Sequence, residues 1–203
     1  MTATSEPAPT RDLQDYVVLV GVCGGIAAYK IGELVSRLVQ RGAGVTVAMT
    51  GSARKFVAPL TFRTLSGRPV LTSLWGRDTP YEAQHIGVTE AADVFVIAPA
   101  TANIIGKLAA GIADDLLSTL LLSADSPLIL APGMNTRMWT HPVVQENVER
   151  LRRLPGCTFV GPGEGWLACR EVGVGRMAEV SEILEVVVAT LRGQPPKRHR
   201  SPA

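Results

Sequence analysis

Tyr16-Val17-Val18-Leu19-Val20 is a continuous apolar run that passes directly into the turn Gly21-Val22-Cys23-Gly24-Gly25. An uninterrupted apolar run of this length reads as a strand buried on both faces, which is the situation of a parallel sheet. The next segment carries Ile31, Leu34, Val35 and Leu38 at helical spacing, and Gly42 stands just past its basic end at Arg41. That pattern predicts a helix with a glycine stop. The chain therefore begins strand, glycine turn, helix.

The alternation continues outward. Val45–Met49, Val94–Ala98 and Leu128–Ala131 read as further buried strands, with Thr158-Phe159-Val160 a short last one. Helical patterns cover Ala102–Ala110, Asp114–Ala124, Val143–Leu154 and Ser181–Leu191, with Ser181 the expected N-cap of the last. Ile86–Ala92 has the look of another helix. Strands divided by helices imply an α/β fold, a doubly wound parallel sheet in three layers with right-handed crossovers. Residues 1–14 and 194–203, polar and proline-containing, are expected to be disordered tails around one domain at 15–193.

Bulk composition narrows the function. Of 203 residues, 46% are hydrophobic and 19% charged, the balance of a globular domain rather than a disordered chain. The net charge of +2 is too small to argue for nucleic acid. Cys23, Cys157 and Cys169 are odd in number and lack a Cys-x-x-Cys pair, so neither a disulfide framework nor a metal site is expected. No apolar stretch is long enough to span a bilayer, and the start lacks the apolar core of a signal peptide. A reducing cytoplasm is the expected location, with no membrane partner.

In an open parallel sheet, ligands bind outside the carboxyl ends of the strands. Four strand-end segments are rich in small or hydroxyl residues: Gly21–Gly25, Thr50-Gly51-Ser52, Pro99-Ala100-Thr101-Ala102-Asn103 and Pro132-Gly133-Met134-Asn135. The glycine turn suits a phosphate, because its backbone N–H groups are unobstructed by side chains. It lacks the spacing of the dinucleotide fingerprint, and no Gly-Lys-Ser/Thr follows to make a P-loop. A tight turn with no ligand is the bland alternative, and the hydroxyls of Thr50, Ser52 and Thr101 weigh against it. Cys23, inside the turn, is expected to pack.

Three side chains stand out as candidates for chemistry. Asn135 either caps the helix after it or offers its amide to a carboxylate, and both readings stand. His85 precedes the strand that ends at Pro99. A histidine in such a place is more often a surface or capping residue than a base. Cys169 sits in Gly161–Met177, a segment with five glycines among seventeen residues. Such a segment reads as a mobile lid whose thiol donates a proton or attacks, against the alternative of a small buried hydrophobe.

Several ordered stretches together resemble one family, the flavin-containing cysteine decarboxylases, and within it the branch that serves coenzyme A synthesis. They are Gly24-Gly25-Ile26-Ala27-Ala28-Tyr29-Lys30, His85-Ile86, Ala98–Asn103, Gly111–Ser118, Pro132–Asn135 with Met138-Trp139, and Leu167-Ala168-Cys169. The resemblance runs from about Tyr16 to Leu191. It implies a Rossmann-like flavoprotein fold and FMN held by Gly24, Gly25, Ile26, Thr50, Ser52, Thr101, Ala102, Asn103 and Ala131. It implies decarboxylation of 4′-phosphopantothenoylcysteine, a small-molecule substrate, through transient oxidation of its thiol. His85 is then the base, and Asn135, with Met134 and Ala168, binds substrate. Cys169 protonates the intermediate from a clamp at 161–177. No metal and no NAD(P) site is implied, and assembly as a homotrimer or a dodecamer of trimers is.

Two departures from the family pattern stand out: Gly133 replaces the usual alanine, and Arg170-Glu171 replaces the usual Gly-Asp. The family is often fused to a synthetase domain, so this chain reads as a stand-alone decarboxylase or a piece. A peptidyl-cysteine decarboxylase, a flavin prenyltransferase and a non-catalytic FMN-binding regulatory subunit are the competing readings. The Leu167-Ala168-Cys169 stretch, the His85 and Asn135 pair, and the retention of all three chemical residues respectively weigh against them.

Overall fold

A computed structural model describes residues 10–74 and 84–197, with only the backbone of 84–86. The elements follow in order: β1 (Val17–Val22), a 3₁₀ turn (Ile26–Lys30), α1 (Ile31–Gln40), β2 (Gly44–Met49), α2 (Pro59–Ser66), β3 (Val70–Leu71) and α3 (Gln84–Ala91). They continue with β4 (Val94–Ala100), α4 (Ala102–Ala110), α5 (Leu116–Ser123), β5 (Leu128–Pro132), α6 (Thr136–Trp139), α7 (Pro142–Arg152) and β6 (Cys157–Phe159). A hairpin of β7 (Gly163–Trp166) and β8 (Val172–Arg176) and the helix α8 (Val180–Arg192) close the chain.

Six parallel strands form one sheet in the order β3-β2-β1-β4-β5-β6. The expected doubly wound α/β sheet is borne out. Strand order reverses between β1 and β4, and their carboxyl ends bound the crevice where such sheets bind ligands. Every residue of β4 is buried, as the continuous apolar run requires. One face packs on α1, α2 and α8 through residues such as Leu34, Phe62 and Ile183. The other packs on α4, α5 and α7 through Ile104, Leu117 and Val148.

Several local expectations change. The N-cap of α8 is Glu179, not Ser181: its carboxylate and that of Glu182 form a reciprocal capping box. Described residues at both ends of the chain, expected to lie outside the domain, pack on it instead. Leu13 is fully buried in the core, and Asp12 pairs with Arg41 and Arg192. At the other end, Gln194 and Lys197 bond the backbone and carboxylate of the buried Asp93. The glycine-rich segment at 161–177 is built around a two-stranded antiparallel hairpin. Helix α2 and strand β3 were not anticipated.

Candidate functional site

The strand ends enclose a cavity of about 1170 Å³. This is above the usual span of ligand pockets, roughly 300–1,000 Å³, and is room for a large cofactor with a substrate. Its walls come from the four strand-end segments and from the hairpin. Gly24, Gly25 and Ile26 line it after β1, Thr50 and Ser52 after β2, Thr101 and Asn103 after β4, and Met134 and Asn135 after β5. Ala168 and Cys169 reach it from the hairpin turn. Ala102 opens α4 behind Thr101, outside the lining. Ala131 is fully buried and packs in the layer with α1 and α8, so its side chain cannot face a ligand there.

One end of the cavity is an anion cradle. The N–H groups of Gly24, Ile26, Gly51 and Ser52 find no acceptor among the described residues. Thr50 fixes the second loop, its hydroxyl accepting from the Ala53 N–H at 3.1 Å. The two loops touch: a Cβ added at Gly24 would lie 2.3 Å from the Ser52 Cβ. Only glycine lets the turn approach so closely. Lys55 lines the same end and adds a cation. Unsatisfied amides, hydroxyls and a lysine around a narrow gap fit a phosphate. Cys23 forms part of the floor; burial pushes its thiol up to about 12 and leaves it unreactive, consistent with packing.

Asn135 reconciles the two readings open to it. Its Oδ1 accepts from the Arg137 N–H at 2.8 Å and caps α6. With the oxygen committed, the side chain offers the cavity its two amide N–H donors, the groups that suit a carboxylate.

The hairpin carries Cys169 over this wall. Arg170 N–H donates to Leu167 O and Leu167 N–H to Glu171 O, both at 2.9 Å, a tight turn with Ala168 and Cys169 at its centre. Arg170 closes the turn at φ 65, the left-handed region that glycine favours. Arginine therefore keeps the turn that the more usual glycine makes, at about 1 kcal/mol of strain. The Cys169 thiol donates to Glu171 Oε2 across 3.7 Å. Strand β8 is docked on the Asn135 loop: Met134 N–H donates to Gly175 O at 2.9 Å, and a Cβ at Gly175 would lie 2.4 Å from Met134 O. The turn that carries Cys169 is thus joined through β8 to the loop that carries Asn135. His85 is the second residue of α3, and its side chain lies outside the described residues.

Sequence reasoning missed the charged residues of the cavity. Lys107 lies between Asp114 and Asp115, each 2.5 Å away. Burial opposes the charge on Lys107, and the two carboxylates outweigh it, holding the ammonium above its usual range. Burial likewise works against ionised Asp115, but Lys107 and the Ser118 N–H leave its carboxyl depressed. Asp115 also caps α5 in a capping box with Ser118. Lys30 and Arg176 meet on Glu179 at another side of the cavity. Among the described residues no group of His, Cys, Asp and Glu could hold a metal ion, and no helix is long and apolar enough to cross a membrane.

Known proteins show the same architecture. The Coenzyme A biosynthesis bifunctional protein CoaBC of Bacillus subtilis (strain 168) is 49% identical over 169 residues, 83% of this chain and 41% of the relative. The chain thus spans about two fifths of the length of the curated relatives it matches. A PPC decarboxylase mutant complexed with pantothenoylaminoethenethiol superposes with a TM-score of 0.76 at 33% identity, over 87% of this chain and 98% of that one. The FMN binding protein AtHal3 superposes with a TM-score of 0.75 at 33% identity, over 90% and 100%. The kinship with flavin-containing cysteine decarboxylases expected from the motifs is borne out. Residues 6–192 match the Flavoprotein family, and the chain belongs to it.

Proposed function

We propose that this chain is an FMN-dependent carboxy-lyase that converts 4′-phosphopantothenoylcysteine to 4′-phosphopantetheine, a step of coenzyme A synthesis. The observation that carries this reading is the convergence, on one cavity, of an anion cradle, an asparagine whose oxygen is already committed to a helix cap, and a thiol on a docked hairpin. The relatives support it: one is named for coenzyme A biosynthesis and one as a PPC decarboxylase.

The cradle fits the phosphate of FMN, with Gly24, Gly25, Thr50 and Ser52 around it and Ile26, Thr101 and Asn103 along the wall. Bound there, FMN would supply a reversible two-electron acceptor for the thiol carbon of the substrate. The chain's own residues do the rest. Asn135 holds the cysteine carboxylate through its Nδ2 donors, assisted by Met134 and Ala168. His85, by resemblance, takes the proton released when the thiol is oxidised. Once that carbon is a thioaldehyde, the carboxylate can leave as CO₂ and its electron pair passes onto sulfur as an enethiolate. Cys169 gives its proton to the enethiolate carbon, which leaves a thioaldehyde; return to it of the two electrons removed at the start, with a proton, gives the thiol product, so that the reaction is redox-neutral overall.

The same reading places the enzyme in the cytoplasm and in a homotrimer or a dodecamer of trimers. Ile26 and Tyr29 line the cavity and are more than half exposed, apolar surface that an interface there would cover. The test is a visible spectrum of the FMN-loaded protein with and without substrate, read alongside CO₂ release. The expected result is CO₂ and 4′-phosphopantetheine in equal amounts. Full FMN occupancy without that product refutes the reading. Cys169→Ser should release CO₂ but stall with reduced flavin and an enethiol product. Normal turnover in that variant removes the proton-donor role.

A further inference from the structure

The proposed substrate has two anionic ends, and Asn135 accounts for only one. Four basic side chains line the cavity on elements near its rim or floor: Lys30, Lys55, Lys107 and Arg176. Lys107 is held between two carboxylates and carries no net charge to spare. Lys55 follows Ser52 and stands at the cradle already described. Lys30 and Arg176 remain. They come from elements far apart in the chain and converge on one carboxylate, that of Glu179. Lys30 Nζ lies 3.3 Å from it, and Arg176 is in direct contact. Two cations share one acid, which leaves one positive charge in excess. Their side chains are 21% and 43% exposed, while Glu179 is 50% exposed and its carboxylate also caps α8, so a phosphate that displaces it leaves Glu179 only the capping contact.

We infer that Lys30 and Arg176 bind the 4′-phosphate of the substrate, with Glu179 as the counter-ion that the phosphate displaces. This rests on the decarboxylase reading for the identity of the substrate.

The spacing supports it. Cys169 marks the reacting end, and β8 runs from the turn to Arg176. At about 3.3 Å per residue, the strand from Val172 to Arg176 covers roughly 13 Å before the arginine side chain is counted. The substrate carries thirteen bonds between its sulfur and phosphorus, about 16 Å when extended, at roughly 1.2 Å of advance per bond. The hairpin is thus long enough to have the thiol at its tip and the phosphate at its base. A carboxylate already seated between a lysine and an arginine shows that the two can grip an oxyanion together. Arg176 is held for this role, its guanidinium packing so closely on Gly165 that a Cβ there would lie 3.0 Å from it.

The test is equilibrium binding, which does not depend on turnover. Titration calorimetry of the FMN-loaded protein with 4′-phosphopantothenate and with pantothenate should show at least about a tenfold preference for the phosphorylated ligand, since one charge-assisted hydrogen bond accounts for that. Arg176→Met and Lys30→Met should each remove most of the preference. Glu179→Gln should keep it or increase it, whereas a merely structural bridge predicts the opposite. The preference should also shrink as salt rises from about 0.05 to 0.5 M. No preference in the wild type, or an unchanged preference in both methionine variants, overturns the assignment. CO₂ release is scored separately, so binding without chemistry counts against the decarboxylase reading alone.

Discussion

Gly24→Ala is the sharpest test of the cradle. A methyl group at residue 24 would lie 2.3 Å from the Ser52 Cβ and 2.9 Å from the Ser52 carbonyl carbon. Carbon atoms rest about 3.5–4.0 Å apart, so the two loops must separate by roughly 1.2 Å or more. Ser52 cannot turn away, because the clash is partly with its backbone and Thr50 ties that loop into the Ala53 N–H. Overpacking of this kind costs about 1–3 kcal/mol. For a chain of this size, that lowers Tm by roughly 2–4 °C per kcal/mol. The effect on FMN should be larger in kind. The free amides of Gly24 and Ser52 face the same gap, and widening it breaks at least one charge-assisted hydrogen bond, roughly a tenfold to hundredfold loss of affinity. The assay is quenching of FMN fluorescence on titration into apo-protein, with Tm measured in parallel. Gly106→Ala is the control. It lies inside α4 away from the cavity, its Cβ would meet only Asn147 Nδ2 at 3.8 Å, and alanine there should add about 0.5–1 kcal/mol of helix stability. FMN affinity within twofold of wild type in Gly24→Ala, or an equal loss in Gly106→Ala, refutes the cradle.

Asn135→Asp should leave Tm within about 1 °C, because an Asp oxygen caps α6 as well as an Asn oxygen does. It replaces the amide donors with acceptors, so substrate-induced flavin reduction should fall by at least about a hundredfold; wild-type reduction would show that the carboxylate is held elsewhere. Gly175→Ala should lift β8 from Met134 and slow product protonation more than flavin reduction, measured by stopped flow; equal slowing of both would place the hairpin outside the protonation step. Asp12 gives the pH dependence. Arg41, against the opposing effect of burial and with help from Arg192, holds its carboxyl at about 2, below its ordinary 3.8. A depressed folded-state value means stability that is complete above pH about 4 and lost as pH falls toward 2. The full shift corresponds to roughly 2.5 kcal/mol, and exposure of Arg192 reduces that to about 1 kcal/mol. Denaturant midpoints of wild type and Asp12→Asn should therefore converge between pH 4 and 2; parallel curves would remove Asp12 as the source.

How much of this was legible in the sequence depends on the range of the interactions involved. Helix α4 was readable to its ends, because Thr101 precedes it and Gly111 ends it at φ 71, both local signals. The hairpin was not, because Val172-Gly173-Val174-Gly175 alternates valine with glycine, and glycine hides a strand period while signalling a loop. Those glycines are there for Met134 and Thr136, which only the folded chain brings against them. Strand β3 has two residues and no pattern to read. The Lys30 and Glu179 pair joins residues 149 apart, so no spacing rule could find it. Ser181 looked the better cap by residue type, yet Glu179 holds the place through its exchange with Glu182, a relation visible only once the helix start is known. Asn135 carries the more general point. Capping and substrate binding looked like rival explanations because one amide was assigned one job. The oxygen caps α6, and that leaves the amide nitrogen as the side chain's only donor at a residue that lines the cavity, so one side chain has room for the structural role and for the proposed chemical one.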